Sequence, residues 1–528
     1  MFASATLVDY LKQPKLWLSK QSRANALESL LGWLIFLAML AWFYRLPPWM
    51  WNTHLHYGGD TIEAVWQANF WRDAVLSGDF NLISREMAYP MGTHQFVEAH
   101  SGPGLLLLPF SLAFGGTVAV NIGFVGGFIL CFIGARRFLR FFTSSELLAS
   151  LGASAVTFAF GRTVHIAGHL HVSLGSTGLV WFAAALMALR RRADEPSAWK
   201  SAVAGGFWWG VSIIAQPYFL FLCLPLMLLL GLQRKAWRYA PVIALTAAAI
   251  GGPYLLLVSQ AVSYMEALPP LLQELAHYTS KPWDYVGWGY LSFWKDLAQI
   301  KMTWKPPTQE ANFQNWGIGT LILSSIGALV VWRVRKMRVL TALIAIILIL
   351  SFGPVWRHGN QNPPSLQRLN ELLWHLGARV KPSTFSESSS PLKSDSVPLP
   401  GILPVMFVPR YESARAAARH SIALGLIAAA LVVTAINQMR SGLAIALGCL
   451  WLIELLPNPS PTILLPQQPH PAHTWAAQRL AGSDGATFTP RSLEGSLFLL
   501  YSRYLANQLP STNVQYLVYV ALVCESQF

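Results

Sequence analysis

Residues 29–46 read SLLGWLIFLAMLAWFYRL, an almost uninterrupted apolar run that takes in Arg45 and is followed at once by Pro47-Pro48. A helix needs about 20 mostly apolar residues to cross the hydrocarbon core of a bilayer, and this run is close to that length. Ten further runs of the same character lie near 117–135, 146–163, 172–189, 201–216, 217–232, 239–258, 316–332, 339–354, 419–437 and 441–457. The expected fold is an all-α polytopic membrane protein of about eleven transmembrane helices. Only Gln216-Pro217 separates two of the shorter runs. The first run begins about 28 residues in and has no small-residue cleavage site after it, so it reads as an anchor and not a removable signal.

Composition agrees. Of 528 residues, 54% are hydrophobic and 12% charged, against roughly 25% charged in a soluble domain. A soluble enzyme, a disordered chain and a coiled coil are excluded. Cys131, Cys223 and Cys449 lie inside apolar runs and Cys524 in the tail, which leaves no disulfide framework and no CxxC metal knuckle. The absence of a Walker loop removes the ATPase half of an ABC transporter.

The positions of the charges set the orientation. Lys12, Lys15, Lys20 and Arg23 precede the first run, and Arg136, Arg137, Arg140, Arg190 to Arg192, Arg234, Lys235, Arg238, Arg333, Arg335, Lys336 and Arg338 fill alternate short connections. The positive-inside rule then places residues 1–28 in the cytoplasm and the carboxyl terminus outside. This topology puts the whole net charge of +14 on the cytoplasmic side, facing anionic lipid, so no nucleic-acid partner is expected. The apolar stretch 103–115 is too short to span and is expected to be a re-entrant or interfacial helix. Trp49 and Trp51 have the place of an aromatic belt at the outer interface.

Loop length is strongly asymmetric. Cytoplasmic connections are short, whereas the outer segments 47–116, 259–315, 355–418 and 458–528 are long. Chemistry tends to be built on long loops carried by a rigid scaffold, so the working face is expected outside. The region 382–400 is rich in Ser and Pro and reads as a flexible insertion. The outer carboxyl-terminal region 458–528 closes on Val514 to Val523, either a buried strand or the end of a truncated domain.

The first outer loop is acidic, with Asp60, Glu63, Asp73, Asp79, Glu86 and Glu98 against three arginines, Arg45, Arg72 and Arg85. Asp60 follows Gly58-Gly59 and opens a stretch in which Ile62, Val65, Trp66 and Phe70 recur at helical spacing. A carboxylate there can act as general base on an acceptor hydroxyl. Asp60-Thr61-Ile62-Glu63 also has the form of a capping box, and both readings stand at this point.

Gly59-Asp60, Tyr89-Pro90-Met91-Gly92 and Pro103 to Gly115 resemble the GT-C superfamily of multi-spanning membrane glycosyltransferases, in particular its poorly characterised bacterial branch. That branch carries a tract of the form G-H-L-N-x-L, which here reads Gly168-His169-Leu170-His171-Val172-Ser173, with His in place of Asn and Ser in place of the last Leu. Ser280-Lys281-Pro282-Trp283-Asp284-Tyr285, Pro400-Gly401 before Arg410 to Arg419, and Glu454 to Pro457 followed by Pro471 to Leu480 extend the likeness over roughly 45–510. The resemblance implies that an outer-loop acid activates the acceptor and that the donor is a polyprenyl-phosphate sugar. It gives the first role to Asp60, with Asp73 and Glu98 as second candidates.

A lipid phosphate needs cations near the membrane, and arginine supplies them with fixed bidentate geometry. Arg410, Tyr411, Arg415 and Arg419 are the best placed, Arg415 and Arg419 being four apart and leading into a span. Arginines that merely snorkel and anchor a helix end are the alternative. His165, His169 and His171 have acceptable metal spacing, although His-Ile-Ala-Gly-His lacks the glutamate of a zinc protease. Structural histidines are the competing reading. No cofactor is required, and a divalent metal clamping a lipid phosphate is compatible with them. Trp283, Asp284 and Tyr285 sit on a non-spanning loop, where aromatics either stack on substrate or pack the loop onto the membrane.

The expected activity is transfer of a sugar from a polyprenyl-phosphate donor to an envelope acceptor on the outer face of a bacterial inner membrane. The partners are then that donor and membrane lipid. The competing classes are a transporter or flippase of lipid-linked substrate and a non-catalytic envelope-assembly protein. Carboxylates are nearly absent from the span interiors, which disfavours ion-coupled transport.

Overall fold

The computed structural model describes residues 22–464 except 57–59, 85–92, 98–99, 160–161, 163–167, 233, most of 265–315, 335–336, 358–362, 386–395, 415–416 and 461. Each of the eleven apolar runs holds a helix. They are α1 (Ser22–Tyr44), α5 (Gly116–Leu139), α6 (Glu146–Phe158), α7 (Leu170–Arg192), α8 (Ala198–Ala215), α9 (Phe219–Cys223, continuing as a 3-10 segment to Leu232), α10 (Ala240–Tyr264), α11 (Gly317–Arg333), α12 (Arg338–Ser351), α15 (Ser421–Ile436) and α16 (Ser441–Glu454). By length and composition, five described helical segments can cross a membrane: Asn25–Met50, Gly116–Leu139, Leu170–Arg192, Lys235–Tyr264 and Ala417–Ile436. The chain is an integral membrane protein.

The expected break at Gln216-Pro217 is real. Gln216 leaves the helical region at φ −163°, because a residue before proline is pushed towards extended backbone. The stretch 103–115 forms two short helices, α3 (Ser101–Leu106) and α4 (Leu108–Phe114), divided at Leu107 before Pro109. Between these helices, α2 (Thr61–Ser77) lies in the segment after α1, α13 (Pro364–Val380) and α14 (Ile402–Phe407) lie between α12 and α15, and the described residues also form three two-stranded ribbons. One of them pairs β1 (His54–His56) antiparallel with β2 (Thr462–Leu464), returning the end of the described chain to the segment after α1.

The bundle is organised around α15, every residue of which is buried. A helix apolar on all sides belongs in the interior of such a bundle. It packs on α11 and α12, while α7 packs on α5 and α8. The peripheral α1 exposes Leu27, Leu30, Leu34 and Leu37, as a lipid-facing helix should. Close approach of α8 to α10 uses Gly206 and Gly210, a GxxxG pair: a Cβ added to Gly206 would lie 2.5 Å from the Ile243 carbonyl oxygen. A Gly206→Val variant is expected to lose about 1–3 kcal/mol through forced separation of the two helices. Its unfolding temperature in detergent micelles, compared with that of the parent chain, measures this.

Arg162 is 1% exposed and lies between α6 and α7. Its guanidinium donates to the Thr157 carbonyl (2.8 Å), Ser176 Oγ (2.7 Å), Ser173 O and Oγ (3.3 Å each) and Thr177 Oγ1 (3.3 Å). Every one of these acceptors is an uncharged oxygen. The contacts clamp the first turns of α7 to the end of α6, and the residues just ahead of those turns build the site.

Candidate functional site

Asp60 occupies the N-cap position of α2, yet its side chain makes no capping hydrogen bond. Nor does Glu63 reach back to complete a capping box. The two carboxylates turn instead to histidines: Asp60 Oδ2 lies 3.4 Å from His169 Nε2, and Glu63 Oε1 lies 3.2 Å from His100 Nδ1 while accepting the His100 backbone N–H at 3.4 Å. Thr61 Oγ1 donates to the Gly168 carbonyl at 3.5 Å, which fixes the start of α2 against the start of α7.

His169 stands at the N-cap of α7, and His171 lies in its first turn. His169 therefore presents its ring from a helix terminus; His165 lies outside the described residues. His171 Nδ1 is 3.0 Å from His100 Nε2, with the two rings edge to face. Ligand atoms of Asp60, His100 and His171 all lie within 4.8 Å of one another, a donor set of one carboxylate and two imidazoles that suits a divalent cation. Glu63 on the far nitrogen of His100 supplies the carboxylate support that orients a ligating imidazole.

Arg419, far along the chain, adds its positive charge to the electrostatics of the same place. It lies in a 3-10 turn, Ala417–His420, directly before α15. Its guanidinium sits over the ring of Tyr218, 4.7 Å from the centroid, just after the Gln216-Pro217 break. Burial lowers the pKa of His169 from its ordinary value; Asp60 opposes this and the positive charge of Arg419 reinforces it. The imidazole is accordingly neutral at pH 7. The acidic first loop and the basic late loop meet here, and the N-termini of α2 and α7 add their positive ends to the field.

The other candidates fall elsewhere. Asp73, thirteen residues on and about 20 Å along α2, pairs with Arg72 at 2.8 Å on an exposed face. Arg410 is exposed in a left-handed turn (φ 60°). Tyr411 is buried, its hydroxyl 3.4 Å from His420 Nε2, and burial raises the pKa of its phenol. Tyr285 is buried too and donates to Ser351 Oγ at 2.6 Å, edge-on to Trp316, so this aromatic packs its loop. Glu98, Arg415, Trp283 and Asp284 lie outside the described residues. Residues 411–414 and 417–420 form 3-10 turns, so the α-helical face expected to join Arg415 to Arg419 is not formed by the described part of this segment.

His100 and Tyr218 are site residues that sequence reasoning missed. Seventy-one positions separate His100 from His171, and no local pattern announces a contact at that range. The one available signal was Glu63, a carboxylate in need of a partner once the capping box is not made.

Fold and site together define a helical integral membrane protein with a carboxylate–imidazole cluster facing an arginine. No protein-family profile matches the chain, and neither does any curated protein sequence. Two solved structures of the Archaeoglobus fulgidus oligosaccharyltransferase are similar. One, AglB in complex with an inhibitory peptide and a dolichol-phosphate, aligns at 10% identity and TM-score 0.39 over 91% of this chain and 59% of that one. The other, tethered to an acceptor peptide through a disulfide bond, aligns at 10% identity and TM-score 0.40 over 89% and 58%. The chain thus spans less than two thirds of the length of either.

Proposed function

We propose that this chain is a GT-C-type glycosyltransferase of about eleven spans. It moves a sugar from a polyprenyl-phosphate donor to an envelope acceptor on the outer face of a bacterial inner membrane, its amino terminus cytoplasmic and its carboxyl terminus outside. The observation that carries the reading is the meeting of Asp60 and Arg419 around His169. Asp60 takes the proton of the acceptor hydroxyl as the acceptor oxygen bonds to the anomeric carbon. The bond from that carbon to the phosphate oxygen breaks, and the lipid phosphate leaves with the electron pair towards Arg419. Radiolabelled polyprenyl-phosphate hexose offered to the purified chain in nanodiscs tests this. Label leaving the lipid supports the reading, whereas intact labelled lipid that only changes leaflet assigns a flippase.

A second reading rests on the Asp60, His100 and His171 cluster, which fits a divalent cation. Such an ion would supply Lewis-acid stabilisation of the phosphate charge. Asp60 would then be a ligand, with Glu63 holding His100 in orientation. His171→Ala separates the two readings. Under the metal reading, apparent Mn2+ affinity falls by about 10- to 100-fold, read by titration calorimetry, and chelator-treated parent chain regains activity with added ion. Under the first reading neither effect occurs.

A further inference from the structure

The third outer segment contains a surface that the proposed reaction does not use. Along α13, Leu369, Leu372, Leu376 and Val380 are exposed at 42, 65, 39 and 43%. At 100° per residue these four fall within an arc of about 80° on one face. Another face packs on the protein: Asn370 Nδ2 donates to the Ser396 carbonyl at 2.8 Å, Trp374 packs on Phe385, and a Cβ on Gly377 would strike the Phe385 ring. The helix is held through these residues, and the leucine row points out.

Charge flanks this row on one side. Arg379 and Arg368 lie next to the apolar arc by helical angle, and both are exposed. Neither makes a hydrogen bond or an ion pair among the described residues. Glu371, the one acid of the helix, lies farther round than either arginine. An exposed apolar row bordered by unpaired arginines is the arrangement of a helix lying in a membrane surface, leucines among acyl chains and guanidiniums at the phosphates.

The location fits. The helix ends beside Lys381, whose ammonium bonds both the Val408 carbonyl and the buried carboxylate of Glu412. Glu412 lies five residues ahead of the span Ala417–Ile436. The carboxyl end of α13 is thereby pinned close to the point where the chain enters the bilayer. Packed alongside, α14 exposes Leu403 and Phe407, adding apolar surface to the same region.

We propose that α13 is an in-plane membrane-docking helix whose partner is the outer leaflet, with Arg368 and Arg379 contacting the phosphates of anionic phospholipid. The contact is independent of the sugar-transfer reading, because it concerns bulk lipid and not the donor.

The test places an environment-sensitive NBD probe at Leu372→Cys in the full chain, with Cys449 and Cys524 replaced by alanine, reconstituted in nanodiscs. A second label at Glu371→Cys, on the polar side, is the internal reference. The expected result is blue-shifted emission at position 372, quenched by phospholipid carrying a nitroxide high on its acyl chain, with position 371 quenched far less. Raising the phosphatidylglycerol content should deepen the quenching at 372, and an Arg368→Gln/Arg379→Gln double substitution should remove that dependence. Water-like emission without lipid quenching overturns the proposal. So does self-quenching that grows with the number of chains per disc, which would assign the face to a second copy. Protection that disappears when residues 465–528 are deleted would assign it to the chain's own tail and overturn it equally. Phosphatidylglycerol dependence that survives the double substitution overturns the role of the arginines.

Discussion

An Asp60→Asn variant is expected to lose sugar transfer by about 10²- to 10⁴-fold, the range set by removal of a positioned general base. The substitution is unusually clean. Asparagine caps a helix as well as aspartate does, and Asp60 makes no side-chain cap bond that could be lost. Its side chain is partly exposed, and its close contact is the His169 imidazole, neutral at pH 7. The folded chain should therefore unfold at nearly the parent temperature while turnover collapses. The donor KM separates the roles further. A base lost from the transition state lowers kcat and kcat/KM together, whereas a lost ground-state contact raises KM. Parent-like transfer by Asp60→Asn removes the centre of the proposed mechanism.

The second large effect is expected at Arg419. Truncation to alanine removes a guanidinium that sits over Tyr218 and acts on His169. Loss of a charged partner for a buried phosphate costs about 2–3 kcal/mol, or roughly 30- to 150-fold in donor KM. Arg419→Lys should recover only part of this, since an ammonium neither forks onto a phosphate nor stacks on an aromatic ring as a guanidinium does. The pH profile supplies an independent readout. Arg419 is one of the charges holding the His169 pKa down. Without it that pKa rises, so at a given acidic pH more His169 is protonated. Any acid-side loss of activity that follows this imidazole must then begin at higher pH in Arg419→Ala than in the parent chain. A shift to lower pH, or none, contradicts the electrostatic influence of Arg419 on His169.

How much of this could be read from the chain alone depended on the distance over which each signal acts. Every apolar run became a helix, because a long apolar segment satisfies its backbone hydrogen bonds within itself. Asp60 and Arg419 were legible as opposite charges in or at the edge of long loops between apolar runs. The capping-box pattern at Asp60–Glu63 was legible too, but its carboxylates were taken by histidines brought from elsewhere in the fold. Local chemistry states what a side chain can do, and tertiary packing selects among those options. His100 shows the limit, since its role exists only where the start of α3 meets the first turn of α7. Arg410 shows it in reverse: it shares a basic run with Arg419, but a left-handed turn leaves it exposed.

Arg162 carries a consequence for how the chain is made. Its acceptors come from both sides: Thr157 from α6, and Ser173, Ser176 and Thr177 from α7. During synthesis the short segment ending in this arginine leaves the ribosome before the residues that satisfy most of its N–H groups. A buried arginine is costly until its N–H groups are satisfied, and before α7 arrives Thr157 is the one of these acceptors already made. The α6 segment therefore has reason to wait at the translocon until α7 arrives and then to partition with it as a hairpin. Biogenesis would in this way join the two helices before the site at their junction exists.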